Sequence, residues 1–189
     1  MAAKAKVAWH ARALELVKTP AASFVLRFVA IAAPLLLLYA YPYPAGSFMS
    51  GCFERFLSGY AHAAGTLLEQ VDPTVSVTGN RISGRFPLAI VRDCDAMQVN
   101  ILFVSAVLAF PSGVGRRLAG AGLGLGLLVI ANLSRIVSLY FVGVASPGSF
   151  EFAHREVWPL VLIAVALGLF LGFTRWERRD DGEPSPAPA

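Results

Sequence analysis

Four apolar runs dominate the chain, at residues 24–43, 95–110, 118–144 and 157–173. A helix needs about 20 mostly apolar residues to cross a hydrocarbon core about 30 Å thick. Several of these runs approach that length, which restricts the chain to an integral membrane protein. Composition agrees: 56% of the 189 residues are hydrophobic and 15% are charged, with a mean hydropathy of +0.62. Soluble domains are about one quarter charged. The expected fold is an all-α polytopic membrane protein with about four transmembrane helices. A small external amphipathic helix and a β-hairpin complete it.

The net charge of +4 does not point to nucleic acid. No basic–aromatic module is visible, and basic residues flank the cytoplasmic ends of membrane helices. Residues 1–22 form a basic cytoplasmic tail carrying Lys4, Lys6, Arg12 and Lys18, and residues 23–175 form the membrane domain. The first run is too long for a typical cleaved signal peptide, so it reads as an uncleaved span. Arg27 lies near its start and can snorkel to the interface. Pro34 predicts a kink, and Tyr39, Tyr41 and Tyr43 crowd its far end as an interfacial aromatic belt would.

Residues 44–94 make an external segment. Within it, residues 51–71 are amphipathic, with Phe53, Phe56, Leu57, Tyr60, Ala64, Leu67, Leu68 and Val71 at helical spacing. Residues 74–78 alternate like a strand. Gly79–Asn80 and Ser83–Gly84 supply turn residues, and residues 86–91 suit a second strand. Together they predict a hairpin that delivers the chain to Cys94. Pro111–Ser112–Gly113 stops the second span. The third begins with Gly120, Gly122, Gly124 and Gly126, small residues that let helix backbones approach closely. A turn is expected at residues 145–149, and residues 176–189 read as a disordered cytoplasmic tail.

Lysine and arginine placement sets the orientation. The N-terminal tail, Arg116–Arg117 and Arg175–Arg179 are all basic. Four crossings put them on one side, so both termini are cytoplasmic. Cys94 and His154 then lie at the outer face. Arg135 follows Leu118 by 17 residues, about 26 Å along a helix at 1.5 Å per residue, which brings it to the same level.

Cys94 sits between Asp93 and Asp95 at the water-facing end of a span. Structural cysteines are usually buried among apolar residues, so this thiol is expected to be wet. Cysteine, histidine and arginine at one face suggest nucleophilic acyl chemistry. A nearby cation favours the thiolate that attacks a carbonyl. Histidine moves protons at neutral pH. Arginine can steady an oxyanion. The aspartates act the other way, raising the thiol pKa.

Each residue also has a plainer reading. Cys94 could pair with Cys52 in a disulfide, which fits a non-catalytic membrane scaffold of surface-polymer or export assembly. A thiol-dependent membrane acyltransferase is a further alternative. Arg135 could be an interfacial snorkeller, although Asn132 and Ser138 at i−3 and i+3 make a polar stripe with it. Such a stripe inside a membrane faces protein or water. His154 could belong to a solvated loop, as His10 and His62 can.

Three motifs occur in order. Arg92–Asp93–Cys94–Asp95–Ala96 opens a span, Asn132–Leu133–Ser134–Arg135 lies in the next, and His154 precedes the last, followed by Trp158–Pro159. In this the chain resembles the exosortase/archaeosortase family of membrane transpeptidases, and its length resembles the compact exosortase H-like branch. The resemblance covers roughly residues 71–173. It departs beside the cysteine. Asp93 stands where a glycine often precedes, and Asp95–Ala96 stand where a small or polar residue and then glycine commonly follow.

The resemblance implies that Cys94, Arg135 and His154 are catalytic, with Asn132 in support. It implies a cysteine peptidase and transpeptidase at the outer face of the inner membrane. Its substrates would be exported proteins with a C-terminal sorting signal: a short motif, an apolar helix and a basic end. Cleavage would hand the exported protein to an acceptor nucleophile that the sequence leaves unspecified. Membrane lipid is the other expected partner. No metal or organic cofactor is implied.

Overall fold

The computed structural model of the protein describes residues 19–180. Of the basic tail expected at residues 1–22, residues 1–18, with His10, lie outside the described residues, and residues 20–22 already belong to the first helix. Of the disordered tail expected at residues 176–189, residues 176–180 are instead the end of the last helix, which Arg178 and Arg179 continue, and the rest lies outside the described residues.

Helix α1 (Pro20–Ala40) begins at a favourable cap. Thr19 Oγ1 accepts the Ala22 N–H at 3.2 Å, and Pro20 stands in the first turn, where a helix has no use for its missing N–H. Only Ala32 and Tyr39 are buried in it. The rest of its apolar surface faces outward, with Leu37 72% exposed. Helix α2 (Phe48–Glu69) is capped by Ser47, whose hydroxyl accepts the Ser50 N–H. Its buried residues are Leu57, Tyr60, Ala61, Ala64, Gly65 and Leu68, one continuous helical stripe. The amphipathic helix expected here is present and starts three residues earlier.

The β segment differs from the expected hairpin. It is a three-stranded antiparallel meander of β1 (Ser76–Thr78), β2 (Arg81–Ser83) and β3 (Leu88–Ala89), in the order β1-β2-β3. The middle strand falls among residues read as turn. Val77 pairs with Ile82, and Ile82 with Leu88. The tight turn at 79–80 uses Gly79 at φ +59°, where a side chain would be strained. Ile82 is fully buried while its neighbours are exposed. So the sheet packs one face on α2, where a methyl on Gly65 would strike Val77.

A 3-10 turn (Arg92–Cys94) leads into α3 (Met97–Ala109). Helix α4 (Val114–Ala145) has 32 residues, about 48 Å at 1.5 Å per residue. It contacts α2, α3, α5 and α6. Helix α5 (Pro147–Phe152), a π-helical turn (Ala153–Val157) and α6 (Trp158–Asp180) follow as one helical stretch. The expected turn at 145–149 shrinks to Ser146, because Pro147 already opens α5.

Three helices, rather than four, have the length and apolarity to cross a membrane: Pro20–Ala40, Val114–Ala145 and Pro147–Arg179. Helix α3 has 13 residues, about 20 Å. It stops short because Ala96 takes a left-handed conformation before it and Phe110 is extended after it. The chain has the build of a helical membrane protein carrying a small three-stranded sheet.

Two apolar cores lie along α4. One joins α2 and the sheet to Ile136 and Tyr140. The other joins α3 and α6 to Ala121 and Leu128.

Candidate active site

The turn carrying Cys94 is held from three directions. Cys94 N–H donates to the Val91 carbonyl at 2.8 Å, closing the 3-10 turn. Asn132 Nδ2, from α4, donates to the Cys94 carbonyl at 3.1 Å. Asp95 is 1% exposed, and its carboxylate accepts the N–H of Met97, the first residue of α3, at 2.8 Å. The Tyr39 hydroxyl of α1 lies 3.0–3.1 Å from both Asp95 carboxylate oxygens and 2.9 Å from the Arg92 carbonyl. A hydroxyl has one proton, so it donates to one of these at a time.

The sequence assigned Tyr39 to an interfacial belt and Asp95 to opposing the thiolate. Both anchor the cysteine turn, a role the sequence had not assigned them. The signal was present in Asp95, since an aspartate can accept the backbone N–H two residues on in an Asx-turn.

Cys94 Sγ lies 3.2 Å from His154 Nε2. The histidine was expected in a loop. It stands instead on the π-helical turn, one of whose uses in proteins is to present functional side chains. Phe150, one turn earlier, stacks its ring on the imidazole with centroids 5.6 Å apart. The pair can exchange a proton: the thiol donates to a neutral Nε2, and the resulting imidazolium N–H faces the thiolate.

Arg135 is 3% exposed and borders two cavities. The larger, about 480 Å³, is also lined by Cys94, His154, residues 86–91, Ile136, Leu139 and Phe150. The smaller, about 220 Å³, is lined by Arg92, Asp95, Gln98 and Pro159 among others. A cation in the wall between them can balance the carboxylate on one side and serve the thiol on the other. It is not an interfacial snorkeller.

Asn132 is fully buried, so the expected polar stripe faces protein. Its third member, Ser138, bonds back to the Arg135 carbonyl of its own helix at 2.9 Å. Burial holds the Tyr60 phenol of α2 above its ordinary pKa; the adjacent Asn132 side chain opposes the rise and the Asp95 charge adds to it.

Cys94, His154, Arg135 and Asn132 are therefore brought together from the turn, the π-helical turn and α4. Cys52 is not drawn in. Both cysteines are free thiols, so the disulfide on which the scaffold alternative rested is not made.

No protein-family model, curated protein or solved structure matches the chain.

Proposed function

We propose that the protein is a membrane-embedded cysteine peptidase and transpeptidase that cleaves exported proteins at a C-terminal sorting signal and passes them to an acceptor. The observation that carries this reading is the Cys94–His154 contact of 3.2 Å inside a cavity that Arg135 also lines. Transfer of the thiol proton to His154 makes the thiolate. Sγ attacks the scissile carbonyl, forming a C–S bond and an oxyanion that Arg135 steadies. The C–N bond breaks as the imidazolium gives its proton to the leaving amine. An acceptor amine, or water, then attacks the thioester, His154 takes its proton, and the thiolate departs.

Helix α3 serves as a short fourth crossing in this reading, with both termini in the cytoplasm and the site at the outer face of the inner membrane. Arg116 supports one part of this. It lies 3.4 Å from Glu177, so the basic ends of α4 and α6 share a side. Arg135 and His154 lie toward the opposite ends of their helices. Reporter fusions after Arg117 then score cytoplasmic and fusions at Gly84 score external. A cytoplasmic score at Gly84 separates Cys94 from exported substrate and ends the reading.

The direct test co-expresses the chain with tagged secreted proteins bearing candidate C-terminal signals. Processing occurs with the wild type, and Cys94→Ala leaves substrate intact while accumulating normally. Cys52→Ala processes at the wild-type rate. Wild-type rates in both Arg135→Ala and His154→Gln would remove those two residues from the chemistry.

A further inference from the structure

One continuous stretch of chain borders the cavity at Cys94. All six residues 86–91 border it, and they contain β3. This strand is at the edge of the sheet, with β2 as its only strand neighbour. The direction of its backbone groups follows from its bonds. Ile90 N–H donates to the Asn80 carbonyl at 2.8 Å, and Asn80 Nδ2 donates to the Ile90 carbonyl at 2.9 Å. Successive residues of an antiparallel strand turn their N–H and C=O groups to alternate sides. Arg81 pairs with Ala89 and Ile82 with Leu88. So Leu88 and Ile90 bond toward β2, and the N–H and C=O of Ala89 point to the open edge. Pro87 is the preceding outward position. It has no N–H to offer the ladder, and an edge strand tolerates proline where that group would face away from its neighbour.

We propose that the substrate binds as an extended strand added to this open edge, exchanging backbone hydrogen bonds with Ala89 and reaching Cys94 with its scissile carbonyl. The proposal rests on the peptidase reading and specifies how that site holds its peptide. Exposed strand edges recruit extended peptides in this way, with the main chain supplying affinity and alternate side chains supplying selectivity. Three further features favour a peptide as occupant. The edge runs through Val91 directly into the cysteine turn, whose Cys94 N–H bonds to the Val91 carbonyl. The cavity is also lined by the apolar side chains of Ile136, Leu139 and Phe150, which suit every second side chain of a strand. Phe86 and Phe150, 5.1 Å apart between centroids, both line the cavity and set an aromatic pair beside the strand.

The test uses the full chain in membranes and reads the labelling rate of Cys94. The probes are acetylated tripeptidyl vinyl sulfones of Ala, Val and Leu, the same probes with one backbone amide N-methylated, and iodoacetamide as a small reagent. Wild-type Cys94 reacts about tenfold faster with the plain peptidyl probes than with their methylated partners, the effect of one or two backbone bonds at up to about tenfold each. Ala89→Pro removes the outward N–H, spares the ladder bonds to β2 and leaves the Ala89 carbonyl free to accept from the probe. It lowers the plain and the methylated rates together, by up to about tenfold, and leaves the iodoacetamide rate as it was. Equal rates for plain and methylated probes on the wild type, or unchanged peptidyl-probe rates in Ala89→Pro, overturn the strand proposal. The methylated probes act on an unaltered chain, so this comparison holds even where the proline variant folds poorly. Failure of the peptidase reading looks different: Cys94 then reacts with iodoacetamide no faster than Cys52, and His154→Gln leaves that rate unchanged.

Discussion

The two cores along α4 are built in different ways. Toward its N-terminal half, rings lie on bare backbone. Phe173 covers Gly120 and Phe103 covers Gly124 so closely that a Cβ at either glycine would overlap the ring. Toward its C-terminal half one such contact recurs, Phe86 on Gly143, but side-chain hydrogen bonds also tie other segments to the helix. Tyr140 donates to Asp72 at 2.6 Å and accepts the Arg85 N–H at 3.0 Å. Asn132 holds the Cys94 carbonyl. Ring-on-glycine contact fixes distance between helices, because interiors are packed to crystal density and a methyl has nowhere to go. It does not orient an irregular segment. The sheet and the cysteine turn are irregular, and directed bonds set their angle as well as their place. The proposed active site sits where the second kind of construction is used.

The largest expected effect separates the two regions by function. His154→Gln lowers substrate processing by about 10²–10⁴, the range for a lost general acid–base. Arg135→Lys lowers it by about 10²–10³, because lysine keeps the charge and loses the planar fork of donors. Both proteins keep wild-type thermal stability in detergent to within a few degrees. A comparable loss from a glycine-core variant that remains folded would dissolve the division.

Next in size is Gly124→Ala. Overpacking the ring of Phe103 destabilises the protein by about 1–3 kcal/mol, read as a lower unfolding temperature in detergent. Adding Phe103→Leu recovers part of it. If the double variant is worse than the single one, shape is not what sets the spacing there.

Tyr140→Phe probes the other core through pH. The Thr74 side chain, then the Tyr140 hydroxyl, hold the Asp72 carboxyl below its ordinary pKa against the opposing effect of burial, with smaller help from the Thr74 N–H and Arg85. A depressed folded pKa stabilises the protein above the unfolded value of 3.8 and loses that stabilisation as pH falls through the folded value. Tyr140→Phe therefore unfolds at a lower temperature than wild type near neutral pH, and the gap narrows as Asp72 is protonated. A gap that is constant from pH 7 to pH 3 excludes the carboxylate as its source.

The smallest effect concerns Ala96, the single non-glycine residue with positive φ among those described, at +54°. Left-handed backbone costs an L-residue about 1–2 kcal/mol, and glycine carries a larger unfolded-state entropy that offsets part of the relief. Ala96→Gly raises the unfolding temperature slightly and leaves processing unchanged. A clear fall would mean that the methyl group makes a contact worth more than the strain.

Much of this architecture was legible because it is local. The apolar runs, the α2 stripe and the glycines at 120 and 124 repeat at helical spacing, and burial follows spacing. Proline at 111 and glycine at 79 marked an end and a turn through their own backbone limits. Asn132 and Arg135 were visible as polar residues one helical turn apart in an apolar run, which cannot face lipid without cost.

Other features have no local signature. Strands of two and three residues are too short to show a period, so β2 was read as turn and the meander as a hairpin. The π-helical turn that carries His154 has a sequence that also suits a loop; continuity with α5 and α6 decides it. Above all, Cys94 and His154 are 60 residues apart, and Tyr39 reaches Asp95 across 56. Sequence alone determined which residues were candidates for the proposed site and which surfaces had to be buried, because composition and periodicity act within a turn or two of chain. Only the tertiary structure decided which of those residues meet, because contacts across tens of residues depend on how whole helices pack and on which directed hydrogen bonds their packing permits.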